Sequence, residues 1–343
     1  MGGAMMFRGV LAIAAVAAAP LAAQAADQFF KGRTINIVVP ADPGGSYDLY
    51  ARLVATHMVK LLPGAPTGIV QNMPGAGGLR AINHLYSLAP KDGTVLQIPV
   101  QDIALSEALG RDGVDFKVAN LTWIGRIAPS VDLQITWGDK KIRSIDEVKK
   151  REITIAATGP NSPTSLNPMV LNAVIGTKFK LISGYKSNAE MSAAMERGET
   201  DGAFATWSTM KTAFPGWIRE RKIDYLVVYT AERIPELADV PAVTELADGK
   251  IEKQILALLA STGTLGRSLV TAPGVDPARV AELRGAFDAM VVDAAFLADV
   301  KRLNIEFGPL SGADTQKAIS GMFDVEPGVI ARTREIVQTV IKR

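Results

Sequence analysis

The groups best placed to do chemistry in this sequence are backbone amides. Asp42-Pro43-Gly44-Gly45-Ser46 and Pro74-Gly75-Ala76-Gly77-Gly78 each follow a short apolar run and precede a helix-forming stretch that starts near Tyr47 and at Leu79. Glycine turns sharply in such places and exposes its N–H groups, and the first amides of a helix are unpaired and partly positive. Gly44, Gly45 and Ser46, with Ala76, Gly77 and Gly78, therefore suit a carboxylate or phosphate. A third strand-to-helix loop, Gly159 to Ser165, adds the hydroxyls of Ser162, Thr164 and Ser165 as donors. Tyr47, Tyr185 and Trp207 lie in or beside these loops and are candidates to line a cleft. Asp48 has two readings, a carboxylate suited to the first turn of its helix or a pocket group. Asp42, before Pro-Gly, is expected to turn back and accept a hydrogen bond from its own loop.

Other chemistries find little support. Gly75-Ala76-Gly77-Gly78 lacks the third spaced glycine of a dinucleotide fingerprint, and no Gly-Lys-Ser or Gly-Lys-Thr phosphate loop occurs. The only histidines, His57 and His84, sit inside amphipathic helices away from the glycine loops, so no base stands beside Ser46, Ser162 or Ser165. There is no cysteine, which removes disulfides and thiolate metal sites, and no cluster of His or carboxylates suggests a metal. No catalytic residue, metal or cofactor is expected. A formal charge of +2 gives no footprint for nucleic acid.

The elements that must position these loops alternate. Strands at Ile35–Pro40, Ile69–Met73 and Thr94–Pro99 are separated by helices carrying Tyr50, Leu53, Val54, Met58 and Leu61, and then Ile82, Leu85, Tyr86 and Ala89, on one face. Strand–helix–strand order implies right-handed crossovers and parallel strands, so both glycine loops leave the same edge of one sheet. After strands near 121–128 and 131–137 the alternation resumes through strands at 153–158, 179–183, 202–206 and 223–229, a second α/β unit. Residues 269–343 are expected to be mainly helical and to return to the first unit. A chain of 343 residues, 48% hydrophobic and 21% charged, fits two globular domains.

Residues 1–25 have the form of a secretory leader: Arg8, the apolar run Val10–Ala19, and Ala23-Gln24-Ala25 as a small-residue cleavage site. Pro20 and Gln24 interrupt the run before it reaches the roughly 20 apolar residues of a membrane span. Residues 1–25 are expected to be removed and the mature chain to lie in the periplasm.

The run Val39-Pro40-Ala41-Asp42-Pro43-Gly44-Gly45-Ser46-Tyr47-Asp48, followed by Ala51-Arg52-Leu53, resembles the first ligand loop of the Bug family, periplasmic receptors of tripartite tricarboxylate transporters. Asn72 to Gly78 resembles the second loop, and Asp92-Gly93-Thr94-Val95-Leu96 its sequel. The likeness continues through Gly159–Ser165, Tyr185-Lys186, Arg197–Gly202, Leu237–Pro241 and Ala272–Pro277. It implies an α/β, two-lobed type II periplasmic-binding (Venus flytrap) fold, each lobe a mostly parallel sheet flanked by helices. Residues 26–126 and 256–343 would form one lobe and 127–255 the other. It also implies that amides of the two glycine loops hold a ligand carboxylate while Ser162, Thr164 and Ser165 face it from the opposite lobe. The sequence departs from the family where Ala41 replaces an aromatic and where a histidine after the second-lobe loop is missing.

The reading that results is a monomeric receptor that captures a small organic acid for membrane permease subunits. A ligand-sensing co-receptor for a signalling protein and a periplasmic enzyme on the same scaffold are the alternatives. Cleavage after Ala25 predicts Ala26 as the mature N-terminus, because Ala25 completes the small-residue site. Intact-mass measurement on exported protein checks this, and retention of Met1–Ala25 in a membrane fraction would defeat it.

Overall fold

Ile35, Ile37 and Val39 of the first strand are buried in one apolar cluster and Val38 in another, so the strand is covered on both faces. That is why it reads as an unbroken apolar run rather than an alternating one. The structure is a computed structural model describing residues 29–159, 162–186, 188–322 and 326–341, so the leader 1–25 lies outside the described residues. Strand β1 (Thr34–Val39) pairs in parallel with β2 (Thr67–Asn72) and β3 (Val95–Gln97). The chain then runs through β4 (Thr122–Ala128), β5 (Asp132–Trp137), β6 (Ile153–Ala157), β7 (Phe179–Ser183), β8 (Gly202–Thr206) and β9 (Ile223–Val228). It ends its strands with β10 (Arg267–Thr271) and the two-residue β11 (Leu310–Ser311).

Two sheets result, ordered β11-β4-β10-β3-β1-β2 and β7-β6-β8-β5-β9. Both are mixed. In the first, β10 runs against β3 and β4 and β11 runs against β4; in the second, β5 runs against β8 and β9 while β6, β7 and β8 are parallel. The reversed strand inside each sheet, β5 or β10, is the one the chain makes just after crossing from the other sheet. Helices flank both sheets, and no helix among the described residues is long and apolar enough to cross a membrane.

The two crossings lie side by side. Ser130 N donates to Gly263 O at 2.9 Å, joining the 129–131 link to the end of the helix Lys250–Leu265. That helix packs through Ile255, Leu256, Leu258 and Leu259 in the second sheet's core, and only Leu265 reaches the first. The return crossing therefore falls at Gly263–Gly266 rather than at 256, because a helix is not interrupted where no turn residue stands.

The C-terminal region divides. Helices Pro277–Val291 and Ala294–Leu303 cover the first sheet, with Leu283, Phe287, Met290 and Phe296 buried there. The last helix, Pro327–Ile341, does not return to the first unit. Val329, Ile336 and Val337 lie in the second sheet's core cluster, beside Leu166 and Val170 of the helix Pro163–Ile175. Amphipathic spacing specifies a buried face but not the core it is buried in. Helix Ser46–Leu53 buries Tyr50, Leu53, Val54 and Met58 as expected and passes into a π-helical turn, Val54–Met58. Leu61 remains exposed, since the change in helical pitch takes it off the stripe.

At the crossing, Gly266 has φ +45°, and a Cβ there would lie 2.1 Å from Ala128 O and 2.7 Å from Pro129 Cα. Backbone cannot yield as a flexible side chain can. Gly266→Ala is therefore expected to destabilise the protein by about 3 kcal/mol through left-handed strain and overlap, which denaturant titration would measure as a lowered midpoint.

Candidate functional site

The carboxyl ends of the parallel strands in both sheets meet at the crossings. Asp132, the first residue of β5, pairs with Thr206 at the carboxyl end of β8, and Gln101, just beyond β3, donates from Nε2 to Asp132 Oδ2. The loops after β1 and β2 thus open toward those after β6 and β8. A second tie runs between Lys211, on the helix Trp207–Ala213, and Glu306 at 3.9 Å, while Tyr50 OH donates to Glu306 O at 2.6 Å.

In the first loop Gly44 takes φ +88°, and its N–H donates to Asp48 Oδ2 at 3.0 Å. Asp48 is 3% exposed and also accepts from Arg52 Nε at 2.8 Å, Arg52 Nη2 at 3.1 Å and Asn72 Nδ2 at 3.1 Å. Asn72 Nδ2 in turn donates to Ala41 O at 2.9 Å. Asp48 is thus a brace joining the first loop, its helix and the end of β2. Burial works to raise its pKa, yet the hydrogen bonds from Arg52, Gly44 and Asn72 hold the carboxyl below its ordinary value. Asp42 does not play the turn role expected of it. Its side chain is exposed, with no hydrogen bond among the described residues. Asp48 succeeds because a helical Cβ points back toward the N-terminus and carries the carboxylate over the loop.

The second loop holds four consecutive left-handed residues: Gly75 (φ +134°), Ala76 (+50°), Gly77 (+62°) and Gly78 (+93°). Gly78 N donates to Gly75 O at 2.9 Å, and a Cβ on Gly78 would lie 2.6 Å from Val100 Cγ1. Helix Leu79–Ser87 starts there, with Ile82 and Leu85 buried as the spacing predicts.

On the second sheet the hydroxyls separate. Ser162 Oγ donates to Gly159 O at 2.8 Å, and Thr164 Oγ1 accepts from Thr158 N at 2.9 Å, so both hold their own loop together; Pro160 and Asn161 lie outside the described residues. Ser165 is fully buried and its Oγ has no hydrogen-bond partner among the described residues. The same is true of Trp207 Nε1, on a side chain 6% exposed; Trp207 N donates to Val131 O at 2.8 Å, which holds this residue against the crossing. Both are among several buried side-chain polar atoms without a partner among the described residues, each of which calls for an explanation. Tyr185 differs, since burial and the neighbouring Glu199 raise its phenol pKa and its hydroxyl is bonded to Glu199 within its own lobe. His57 is buried against Asp299, Nε2 to Oδ2 at 2.9 Å.

Sequence reasoning missed the polar groups behind the first loop. Arg267, 4% exposed, donates from Nε to Ser46 Oγ at 3.0 Å and lies over the Tyr47 ring at 4.2 Å. Its Nη1 donates to Gln101 Oε1 at 3.1 Å, and Asp132 also accepts from Ser130 Oγ at 3.2 Å. Burial pushes the Asp132 carboxyl up to about 6, with Arg267 working in the opposite direction. Burial likewise raises the Tyr47 phenol against the influence of Arg267. The available signal was a charge at the edge of each apolar run, Asp132 before Leu133 and Arg267 before Leu269; nothing local pairs residues so far apart in the chain.

These features, two facing α/β lobes joined by adjacent crossings with amide-rich loops at their apposed edges, define the two-lobed class of periplasmic binding proteins. Solved structures share that fold: the periplasmic binding protein BugD superposes with a TM-score of 0.65 at 21% identity, covering 90% of this chain and 97% of its own. MatC from Rhodopseudomonas palustris with bound malate gives 0.65 at 19% identity over 89% and 99%. The sequence model of the tripartite tricarboxylate transporter family receptor matches residues 50–306, and the chain belongs to that family. A "UPF0065 protein in gbd 5'region" of Cupriavidus necator is 28% identical over 284 residues, 80% of each chain.

The raised value of Asp132 has a signed consequence. Between its ordinary value of 3.8 and about 6 the folded state binds the proton more tightly than the unfolded chain, so this residue lowers stability as pH rises. Asp132→Asn is expected to remove that slope. Its unfolding free energy relative to the parent should rise by about 2.4 kcal/mol from pH 4 to pH 7, as denaturant titrations at several pH values would read.

Proposed function

We propose that the mature protein is a periplasmic receptor that captures a small organic carboxylate between its lobes and presents it to membrane permease subunits of a tripartite tricarboxylate transporter. The observation that carries this reading is the pairing of two left-handed glycine loops on one lobe with a buried guanidinium, Arg267, directly behind the first of them. Amides of Gly45 and Ser46 and of Ala76 and Gly77 would hold one carboxylate, whereas the Gly44 N–H is held by Asp48 and the Gly78 N–H by Gly75 O, so these two residues shape the loops. Ser165 and Trp207, whose buried polar atoms lack partners among the described residues, would donate from the opposite lobe. Ser162, Thr164 and Asp48 support these loops through the bonds they already make, and Tyr47 forms the floor beneath Arg267. The receptor family and the malate held by MatC agree with an acidic ligand.

In this reading the protein works as a monomer without a cofactor and turns nothing over. Its domains are the two lobes, one running to the 129–131 link and resuming after Gly266, the other lying between the two crossings and joined by the last helix. The leader ends at Ala25, and export places the receptor on the outer side of the inner membrane.

A screen of small mono- and dicarboxylic acids by thermal shift and calorimetry tests the proposal. At least one acid is expected to bind with micromolar or tighter affinity, about 8 kcal/mol. At about 100 times its dissociation constant it should add roughly 2.7 kcal/mol of stability, and small-angle scattering should show compaction as the hinge closes. Shifts from neutral sugars or cations with none from any acid would overturn the reading.

A further inference from the structure

Arg267 is buried, yet no carboxylate lies within ion-pair distance of it among the described residues. Asp132 is reached only through Gln101, which accepts from Arg267 Nη1 at 3.1 Å through Oε1 and donates through Nε2 to the acid. An isolated buried guanidinium is costly unless an anion answers it. Asp132 answers that charge only at one remove, and the Nε side of the guanidinium faces the first loop. Arg267 Nε donates to Ser46 Oγ at 3.0 Å, and the guanidinium is held flat on Tyr47 at 4.2 Å. Tyr47 is itself fixed, because its OH accepts from Gln101 N at 3.3 Å.

A hydroxyl has one proton to give and two lone pairs to fill. Arg267 fills one lone pair of Ser46 with a charge-assisted hydrogen bond, so the Ser46 proton must point elsewhere, and no described residue accepts it. Ser46 also opens the helix Ser46–Leu53, where the backbone amides are themselves unpaired. Charge, hydroxyl and amides therefore converge on one acceptor position. A carboxylate completes the set with a direct counter-charge, whereas a neutral amide or hydroxyl would leave the guanidinium with only Asp132, held at one remove through Gln101.

We propose that Arg267 is the specificity-determining residue of the first loop. It orients the Ser46 hydroxyl as a donor to the bound carboxylate and makes the site select an anion over a neutral isostere, with Gln101 and Asp132 as positioning residues that hold the guanidinium from behind. The proposal rests on the carboxylate reading above and adds to it the group that enforces charge.

Calorimetric titration with L-malate, succinate and adipate tests it on the full-length mature protein. The comparison is Asp132→Asn against the double variant Asp132→Asn with Arg267→Met, so that the charge on Arg267 is the difference measured and neither protein carries a lone buried carboxylate at position 132. The double variant is expected to bind whichever of these acids the parent binds at least tenfold more weakly. Adding Ser46→Ala to it should cost less than a further twofold, while Ser46→Ala in the parent should cost at least fivefold, because Arg267 acts through that hydroxyl. Arg267→Lys, which keeps the charge and loses the planar fork, should fall between parent and double variant. Retention of affinity within threefold in a folded double variant, equal losses for Met and Lys at position 267, or additive losses with Ser46→Ala would each overturn the proposal while leaving the carboxylate reading intact. Should the double variant fail to fold, Ser46→Ala in the parent decides, and a loss under threefold sinks the idea. A parent that binds none of the acids would remove the carboxylate reading and this inference with it.

Discussion

The structure depends on the chain crossing between its sheets twice at one place. Ser130 on the first link and Gly263 on the second share a backbone hydrogen bond, and Gly266 lets the returning chain pass against Ala128 and Pro129 where no side chain fits. Once the crossings are adjacent, each sheet must accept its incoming strand in reverse, β5 in one and β10 in the other. The carboxyl edges of the parallel strands are then brought face to face. The cleft is a consequence of connectivity, and ligand loops in both lobes belong to it because loops after parallel strands leave from that edge.

Within that frame the polar economy is uneven. Asp48 accepts from Gly44, Arg52 and Asn72 and so ties the first glycine loop and its helix to the end of β2, from which the second loop departs. Arg267 and Asp132, by contrast, are charges buried at the junction and joined through a neutral amide. Direct contact would satisfy both and leave nothing for a ligand. The intervening Gln101 keeps the guanidinium oriented and leaves its charge directed toward Ser46 and Tyr47.

The loops themselves are made of backbone, which explains their composition. Of the four positive-φ residues in succession at Gly75–Gly78, three are glycines, for which this conformation is cheap, and Ala76 bears its strain; Val100 closes the space a side chain at Gly78 would need. Amides held in this way recognise charge and shape without side chains of their own. In the proposed receptor, discrimination falls to the few side chains behind and opposite them, Arg267 on one lobe and Ser165 and Trp207 on the other.

Much of this was legible in the amino-acid order alone. The alternation of apolar runs and amphipathic helices located β1 to β9 but not β10 or β11, and the Pro-Gly runs after Val39 and Asn72 located both glycine loops, because turn chemistry and periodicity are local properties. Local chemistry also left Asp48 between a helix-start role and a pocket role, and it assigned to Asp42 a turn bond that Asp48 makes. Tertiary structure decided what depends on residues distant in the chain. It placed the last helix on the second core, moved the return crossing to Gly263–Gly266, and reversed β5 and β10 within their sheets. It alone brought Arg267, Gln101 and Asp132 behind Ser46, since a buried charge is tolerable only where partners from other strands converge, and no spacing along the sequence records that convergence.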